Sequence, residues 1–441
     1  MYPNLYYAFK DLFGVEWSFL RIVNSFGFFV AISFILAAVI LTKELKRKSK
    51  EGLLHPTDMQ VMVGQPATAG EILLNFLFGF LFGYKLLGFF FMDKSATEDP
   101  QQFIFSGIGS WPAGIGLGLL FAFLKWYDKN KQKLPKPEKR TVRIWPHDRV
   151  GEITIIALVF GLIGAKVFDT LENWDRFVKD PSTILSVSGL TFYGGLICAA
   201  AAIWFYARKH KIGFWHLNDA AAPALMLSYG TGRIGCQVSG DGDWGIFNAA
   251  YRSLPEGGIA PGTPEQFNQA LQTHAAFFSS GSHGTEHAYF AKPGWLNFLP
   301  DWMFAYDFPH NVNDTGVPLA NCVDAKYCNH LPVPVFPTSF YETLLCVALF
   351  GLLWAFRKKL TIPGTLFALY LMVNGLERFV IEKIRVNEQI SFLGFRPTQA
   401  EVISSLLFLS GLGLWIYLRK TYKGPGNPQT VKQEEGKGKA V

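Results

Sequence analysis

The chain has 441 residues, of which 50% are hydrophobic and 16% aromatic, but only 17% are charged. Soluble domains carry about 25% charged residues, and the apolar residues here form long blocks, so a membrane protein is favoured over a soluble one. The aromatic content and the absence of matching sequence periods exclude a disordered chain, a coiled coil and a collagen. Five cysteines without metal-type spacing argue against a zinc module.

Nine segments are predicted as membrane-spanning helices, each of which needs roughly 20 apolar residues, or somewhat fewer with polar ends. They are 22–41, 72–92, 107–124, 153–168, 189–207, 214–236, 340–356, 366–381 and 402–418. The Gly-rich third segment and the polar sixth segment carry the weakest signals. The predicted fold class is an all-α integral membrane protein with about nine transmembrane helices.

Basic residues follow every odd-numbered span. They lie in five stretches, 43–50, 125–149, 208–211, 357–359 and 419–423. Because Lys and Arg collect in cytoplasmic loops, the N-terminus is predicted to be periplasmic and the C-terminus cytoplasmic. The net charge of +7 is therefore a topology signal, and no nucleic-acid partner is expected.

Six regions follow from these spans. The first span is expected to be a retained anchor, because residues 1–17 lack the features of a cleaved signal peptide. The regions are 1–50 with the first helix, 51–147 with a transmembrane hairpin and a basic cytoplasmic loop, 148–245 with core helices and a lipid-binding motif, 246–336 as a periplasmic loop region, 337–423 with further core helices, and 424–441 as a disordered cytoplasmic tail. In an oxidising compartment Cys322 and Cys328 either pair or remain thiols.

The two-helix hairpin is predicted to occur twice. Residues 70–85 read GEILLNFLFGFLFGYK and residues 151–166 read GEITIIALVFGLIGAK, with identities at an offset of 81 that include Lys85 and Lys166. Each is followed by a helix-sized gap and a Ser-Gly start. Internal duplication explains this pattern, and chance similarity between apolar, Gly-rich spans is the alternative. The first copy is expected to lie peripheral to the catalytic core.

Ionisable residues within spans are functional candidates because they are costly in a bilayer. Arg233 lies near the outer end of the sixth span, in GTGRIG. One helix face of the eighth predicted span carries Asn374, Arg378, Glu382 and Arg385. Glu377 and Lys383 are expected to point elsewhere. Guanidinium groups suit a phosphodiester, which favours a lipid headgroup site open to the outer leaflet. The alternatives are a structural Arg378–Glu382 ion pair and an interfacial anchor at Arg233.

Three further clusters are predicted at the same membrane face. They are GLTFYGGL at 189–196, GDGDWG at 240–245 and PTSFYE at 337–342. Together with GTGRIG and GLERFVIEKIR, and in this order, they resemble the prolipoprotein diacylglyceryl transferase family over about 150–245 and 335–418, plus the first span. The resemblance implies a seven-helix core in the bacterial inner (plasma) membrane, to which the 51–147 hairpin and the 246–335 loop are additions.

The resemblance also implies the reaction and the residues of its site. It implies transfer of sn-1,2-diacylglyceryl from phosphatidylglycerol to the lipobox cysteine thiol of a prolipoprotein signal peptide, with a thioether as product, release of glycerol 1-phosphate, and no metal or cofactor. The implied catalytic residues are Arg233, Arg378, Glu382 and Tyr193. The implied substrate-binding residues are Arg233, Gly194, Gly195, Asp241, Asp243, Gly245, Tyr341, Glu342, Asn374 and Phe26.

The sequence departs from the family pattern in ways that leave the general base open. The departures are Tyr193 in place of His, Cys236 in place of Asn, Asp241 or Asp243 in place of a loop Glu, and Phe26 and Asn374 where Tyr is usual. Tyr193 is expected to donate a hydrogen bond, because a phenol accepts protons poorly at neutral pH. The thiol would then be activated by the two arginines, or by a carboxylate such as Glu382 or Asp243. Two rival functions are a non-catalytic phospholipid-binding paralogue and a secondary transporter.

Overall fold

The computed structural model describes residues 1–91, 103, 106–185, 189, 191–280, 285–322, 326–387 and 397–422. The protein is mostly helical. The helices are α1 Leu5–Phe13, α2 Ser25–Lys50, α3 Ala69–Phe82, α4 Gly88–Phe91, α5 Trp111–Lys131, α6 Val150–Glu172, α7 Trp174–Lys179, α8 Phe192–Lys209, α9 Phe214–Ser239, α10 Pro264–Thr273, α11 Ala275–Ser280, α12 Thr338–Phe356, α13 Thr365–Glu382 and α14 Gln399–Thr421. Short 3₁₀ and π turns join several of them. The predicted tail 424–441 lies outside the described residues, as does Leu190 of GLTFYGGL.

Short strands accompany the helices and were not predicted. They are β1 Thr57–Val63, β2 Glu138–Ile144, β3 Phe247–Asn248, β4 Tyr251–Ser253, β5 Ile259–Pro261, β6 His287–Ala288, β7 Val317–Pro318 and β8 Asn329–His330. They form four two-stranded sheets, β1–β2, β3–β6, β4–β5 and β7–β8. The all-α prediction therefore holds for the bulk of the chain and omits these sheets.

Five helical stretches among the described residues have the length and composition to cross a membrane. They are Ser25–Lys50, Ala69–Phe90, Pro146–Glu172, Thr338–Phe356 and Gln399–Thr421. The other four predicted spans also coincide with helices, namely α5, α8, α9 and α13, but these carry more polar residues or end sooner. The protein is thus a multi-pass membrane protein.

The predicted boundaries differ from the observed helix ends. The first span was predicted at 22–41, whereas α2 begins at Ser25 after a 3₁₀ turn and continues to Lys50. The third was predicted at 107–124, whereas α5 begins at Trp111, with a proline in its first turn, and ends at Lys131. Hydropathy marks only the apolar part of a helix, and both helices continue through the polar and basic residues beyond it.

The chain forms two compact units. One unit contains the described residues of Met1–Pro3, Ser25–His55 and Trp145–Val441, and the other consists of Asn4–Asn24 and Pro56–Ile144. In the second unit β1 and β2 pair antiparallel, from Thr57 opposite Ile144 to Val63 opposite Glu138. Every residue predicted for the functional site belongs to the first unit.

Helix contacts support the internal duplication. In the first hairpin, α3 packs on α5, and a Cβ added to Gly83 would collide with the backbone carbonyl of Ala113. In the second, α6 packs on α8, and a Cβ on Gly164 would lie 2.5 Å from the carbonyl oxygen of Gly194. Gly83 and Gly164 are 81 residues apart in the sequence, and so are Ala113 and Gly194. Only glycine permits so close an approach of two helices.

The duplicated lysines also make equivalent hydrogen bonds. Lys85 Nζ donates to the carbonyl oxygen of Ile108 at 2.8 Å, and Lys166 Nζ donates to that of Gly189 at 3.4 Å. Ile108 and Gly189 are again 81 residues apart. Both lysines thus bind the backbone that leads into the second helix of their hairpin.

The region between α9 and α12 has its own small core. Its buried side chains include Trp244, Phe247, Phe308 and Val335. The disulfide Cys322–Cys328 closes one of its loops, with an S–S distance of 2.01 Å. Of the two alternatives for these cysteines, the paired state is therefore observed.

A buried carboxylate fixes the far end of the helices that carry the site. Asp219 in α9 accepts hydrogen bonds from the backbone amides of Gly364 (2.8 Å) and Phe367 (3.0 Å) at the start of α13. Lys48 of α2 pairs with the same carboxylate at 3.5 Å. Because the first amides of a helix have no partner within it, Asp219 stabilises the start of α13 and holds three helices in register.

Candidate functional site

The site begins at the end of α9 with Arg233. Tyr229 lies one helical turn earlier, and the Arg233 guanidinium lies 5.3 Å from the centre of its ring. The opposite side of this turn is closely packed, because a Cβ on Gly235 would be 3.2 Å from the carbonyl oxygen of Phe26. Gly240 ends the helix with a positive φ of 65°, a backbone conformation that glycine adopts without strain.

The loop after α9 is fixed by close backbone contacts. The amide of Gly245 donates to the carbonyl oxygen of Phe336 at 2.9 Å, and the amide of Ile246 donates to that of Ile384 at 2.9 Å. A Cβ on Gly245 would lie 2.6 Å from the carbonyl oxygen of Ile384. Gly245 therefore lets the loop reach the segment that follows α13, and this contact brings the loop carboxylates to the arginines.

Glu342 is the centre of the site. Its carboxylate, on the second turn of α12, is fully buried. It pairs with Arg233 Nε, with Arg378 Nη1 at 3.4 Å and with Arg385 Nη1 at 3.1 Å. The hydroxyl of Tyr229 donates to it at 3.0 Å. One carboxylate thus joins guanidinium groups from α9, from α13 and from the turn after α13.

Asp243 is the second bridging carboxylate. Its side chain pairs with both Arg233 and Arg385. Its backbone carbonyl accepts hydrogen bonds from Thr338 Oγ1 (3.1 Å) and Ser339 Oγ (2.8 Å). The first turn of α12 therefore positions the loop that carries Asp243.

The two loop aspartates have opposite electrostatic environments. Burial alone would raise the pKa of Asp243, but the guanidinium groups of Arg233 and Arg385 outweigh it and hold the pKa below its usual value. Burial, followed by the charge of Asp243, raises the pKa of Asp241. The backbone amide of Asp243 donates to Asp241 Oδ1 at 3.3 Å. Pairing with two arginines thus lowers the pKa of one carboxylate, while burial raises the pKa of its neighbour.

Glu382 completes the cluster on the other side of Arg378. It pairs with Arg378 Nη2 at 3.0 Å, one helical turn away. It also accepts hydrogen bonds from Asn387 Nδ2 at 2.6 Å and from Thr398 Oγ1 at 2.7 Å. This carboxylate is buried, is paired with one arginine and accepts two hydrogen bonds.

The resulting cluster is formally neutral. We call it the arginine cluster; it consists of Arg233, Arg378, Arg385, Glu342, Asp243 and Glu382. Buried charges persist when they are paired and hydrogen-bonded, and each member has at least one partner of opposite charge. The side chains of Arg233 and Arg378 remain 17% and 22% exposed. Both arginines can therefore be reached by an anion from outside.

Glu377 lies next to Arg378 on α13 but is not a member of the arginine cluster. Its side chain is only 5% exposed and experiences the charges of Glu342 and Arg378. Neither carboxyl oxygen has a hydrogen-bond partner among the described residues. It was expected to point away from Arg378, about 100° around the helix, and in the part of the chain that the structure describes no ion pair joins it to the arginine cluster. Lys383 does point elsewhere, to Glu401.

Tyr193 lies in the first turn of α8. It is partly buried, and the charges of Arg378 and Glu382 act on its hydroxyl. The adjacent glycines are buried at the contact with α6, where a Cβ on Gly195 would lie 2.8 Å from the carbonyl oxygen of Gly161. The glycine pair thus has a packing role that brings Tyr193 to the arginine cluster.

Three further predicted binding residues, Tyr341, Phe26 and Asn374, are also not members of the arginine cluster. Tyr341 Oη donates to the carbonyl oxygen of Met303 at 2.7 Å, so this side chain binds the 246–335 region. The side chain of Phe26 is exposed. Asn374 is partly buried on α13, and in the part of the chain that the structure describes it makes no hydrogen bond through its side chain.

Several site residues were not predicted. Tyr229 was detectable, because a residue four positions before Arg233 shares its helix face. Thr338 and Ser339 were not, since their role is to bind a distant backbone carbonyl. Cys236, which stands in place of the family's Asn, was not predicted to contact the cluster, and its sulfur lies 3.7 Å from Arg233 Nη1 and 3.8 Å from Asp243 Oδ2.

The cysteine and the loop aspartates have the residue types of a metal site. The possible ligand atoms of Cys236, Asp241 and Asp243 lie within 4.8 Å of one another. Metal coordination would require these groups to be free of competing cations. Arg233 and Arg385 already pair with Asp243. The positive charge next to this carboxylate is therefore supplied by arginine side chains.

Comparison with known proteins finds related sequences over most of the chain. The family model described as prolipoprotein diacylglyceryl transferase matches residues 108–417, which is more than two thirds of the chain. The match includes α5 and every member of the arginine cluster.

Individual relatives carry the name phosphatidylglycerol–prolipoprotein diacylglyceryl transferase. One from Dehalococcoides mccartyi is 24% identical over 277 residues, covering 63% of this chain and 80% of the relative. One from Shouchella clausii is 24% identical over 293 residues, covering 66% and 82%. One from Xanthomonas oryzae pv. oryzae is 28% identical over 265 residues, covering 59% and 71%. The chain belongs to the prolipoprotein diacylglyceryl transferase family and is a transferase.

Proposed function

We propose that this protein transfers sn-1,2-diacylglyceryl from phosphatidylglycerol to the lipobox cysteine of prolipoproteins in the bacterial inner membrane. The observation that carries the proposal is the pairing of Arg233 and Arg378 through one buried carboxylate, with both guanidinium groups still accessible. Two such groups at one site suit the phosphodiester of a phospholipid. The names of the relatives supply the two substrates.

Lipid binding requires one carboxylate to leave the arginines. Among the three carboxylates of the arginine cluster, Glu342 and Glu382 are buried within helices, whereas Asp243 lies in a loop and is partly exposed. The phosphodiester therefore replaces Asp243 on Arg233 and Arg385. The cluster then keeps its formal neutrality, because one anion has replaced another.

The transfer step is a substitution at the glyceryl carbon. The cysteine thiolate attacks this carbon, the carbon–sulfur bond forms, and the carbon–oxygen bond to the phosphate breaks. Glycerol 1-phosphate leaves with the electron pair of that bond. Arg233 and Arg385 hold the phosphate, and Arg378, which shares Glu342 with both of them, adds to the stabilisation of the charge that develops on the leaving group. Such stabilisation is large where water is excluded.

The displaced Asp243 is the best candidate for the proton acceptor. While it is paired, two arginines hold its pKa low. Once the lipid phosphate takes its place, burial remains and the pKa rises, so the carboxylate becomes a stronger base. Glu382 suits this role less well, because it pairs with Arg378 and accepts hydrogen bonds from Asn387 and Thr398.

A mass assay tests the proposal. Membranes that contain the protein are incubated with a lipobox peptide and phosphatidylglycerol, and the peptide is analysed for the diacylglyceryl mass increment. A peptide with serine in place of the cysteine is the control. Binding of phosphatidylglycerol without any increment would favour the non-catalytic paralogue. A secondary transporter is disfavoured by the parallel repeat and by the position of the charges near the helix ends.

The role of Tyr193 is tested by removing only its hydroxyl. Tyr193→Phe is expected to lower the transfer rate about tenfold or more, since one hydrogen bond is worth ~1–2 kcal/mol. An unchanged rate would leave the ring as an interfacial anchor. Complete rescue by Tyr193→His, with a new pH dependence near the histidine pKa, would show instead that this position carries the proton.

We also propose nine spans with a periplasmic N-terminus. The test introduces single cysteines at Pro135, in the predicted basic cytoplasmic loop, and at Glu256, in the predicted periplasmic region. A membrane-impermeant maleimide added to intact cells is expected to label only position 256. Labelling at position 135 would contradict this topology.

The first hairpin is proposed to be dispensable for transfer, because every member of the arginine cluster lies in the other unit. Lys85→Ala is expected to keep most of the wild-type transfer rate. The equivalent change Lys166→Ala, in the copy that leads into Tyr193, is the matched comparison and should cost more activity. Loss of transfer in a folded Lys85→Ala protein would refute the proposal.

A further inference from the structure

Residues 288–304 present an exposed row of aromatic side chains. Two short 3₁₀ turns, Gly294–Leu296 and Asp301–Met303, each follow a proline. The row, here called the aromatic edge, consists of Tyr289, Phe290, Trp295, Phe298 and Trp302, all of them exposed. Trp295 and Phe298 are 77% and 78% exposed. Aromatic side chains that a fold leaves outside in this way mark an interaction surface.

The aromatic edge is built on a fixed backbone. Buried Asn248 donates to the carbonyl oxygen of Phe290 at 2.9 Å and accepts from its amide at 3.1 Å. The amide of Lys292 donates to Tyr251 Oη at 3.3 Å. The aliphatic side chains of the same segment face inward, where Leu296, Leu299 and Met303 pack against the core around Tyr251. The aromatic rings therefore point outward from an anchored segment.

The segment exposes little unpaired charge. Its two charged residues before position 303 are Lys292 and Asp301, and these form an ion pair with each other. Lys292 Nζ also donates to the carbonyl oxygen of Leu299 at 3.0 Å. Mutual neutralisation lowers the cost of moving both groups into a medium less polar than water.

The aromatic edge adjoins the end of an apolar helix. The ring of Trp302 packs on Phe340, with centroids 4.9 Å apart. Tyr341 Oη binds the carbonyl of Met303 in the same place. Phe340 lies in the first turn of α12, one of the helices long and apolar enough to cross a membrane. The aromatic edge thus continues the apolar surface of α12 at the level where this helix begins.

We infer that the aromatic edge inserts into the headgroup–acyl boundary of the phospholipid bilayer and holds the 246–335 region against the membrane. Trp and Tyr favour this boundary, because an apolar ring and a polar atom are both accommodated there. The chemistry fits a lipid surface better than a peptide groove. The aromatic residues are exposed, and the two charged residues of the segment, Lys292 and Asp301, pair with each other. The inference rests on α12 as a membrane helix and does not require transfer activity.

Site-directed fluorescence tests the inference in the full-length protein in nanodiscs of phosphatidylethanolamine and phosphatidylglycerol. A Cys198→Ala background leaves two buried free thiols and the disulfide. An environment-sensitive fluorophore is attached at Phe298→Cys, and at Trp295→Cys as a second position. Gln269→Cys, on the exposed face of α10, is the matched control.

Lipids with a nitroxide near the top of the acyl chain are expected to quench positions 298 and 295 several-fold more than position 269. A water-soluble quencher should show the reverse order. Efficient aqueous quenching at 298 and 295, without quenching by the nitroxide lipid, would overturn the inference. So would protection from the aqueous quencher that appears only when a lipobox peptide is added, because the partner would then be the peptide.

Discussion

Replacing Arg233 or Arg378 with alanine is expected to remove nearly all diacylglyceryl transfer. A hydrogen bond between a guanidinium and a charged partner contributes roughly 1.5–3 kcal/mol, which is about one to two decades in rate, and stabilisation of the leaving phosphate adds to this. Lysine at either position should rescue poorly, because it lacks the planar fork of donors. The peptide mass assay measures each rate.

The control for this experiment is Lys383→Ala. This lysine follows α13 directly but pairs with Glu401, outside the arginine cluster. Its loss should leave the transfer rate close to that of the wild type. Near-normal rates in both arginine variants would refute the assignment of the lipid site, whatever the behaviour of the control.

Replacing Glu342 is expected to have the largest effect on stability. Three guanidinium groups and the Tyr229 hydroxyl meet at this fully buried carboxylate. Removing one partner of a buried ion pair costs about 3–5 kcal/mol, because the remaining charges lose their compensation. Glu342→Ala should therefore lower the free energy of unfolding by roughly this amount. Glu342→Gln, which keeps an acceptor for Tyr229, should lower it less. Denaturant unfolding in detergent measures both.

Glu377→Gln provides the comparison for Glu342. Glu377 is also a buried carboxyl on a helix of the site, but neither of its oxygens has a hydrogen-bond partner among the described residues. Its replacement should leave the unfolding free energy unchanged or raise it. Equal losses at the two positions would show that burial alone, and not the pairing with arginine, determines the effect.

The sequence alone predicted the helices and named the residues that form the arginine cluster, because these depend on local signals. Long apolar runs predict spans, and the i, i+4 spacing of Arg378 and Glu382 predicts their ion pair. The central position of Glu342 was not visible. It arises because α9, α12 and α13 meet at this carboxylate. Arg233 and Glu342, for example, are more than a hundred positions apart in the sequence.

Contacts with a second helix were not predictable in the same way. The burial of Glu377 was not predicted, because a helical face identifies only neighbours along one helix. The glycine pair at 194–195 was predicted to bind substrate, and the structure adds a close packing contact with α6. In each case the contact comes from a second helix, whose position sequence spacing does not reveal.

The neutrality of the arginine cluster has a consequence for turnover. An incoming phosphodiester replaces an existing anion, so binding changes the net charge of the site little. The free energy of binding is then only the difference between the interaction of the arginines with the phosphodiester and their interaction with Asp243. Affinity for the donor lipid should therefore be modest. Phospholipids are abundant in the surrounding bilayer, and an enzyme that works on an abundant substrate gains nothing from tight ground-state binding. The phosphate product carries more negative charge than the donor, so the arginines hold it more strongly. The return of Asp243 to the same arginines competes with the product and assists its release.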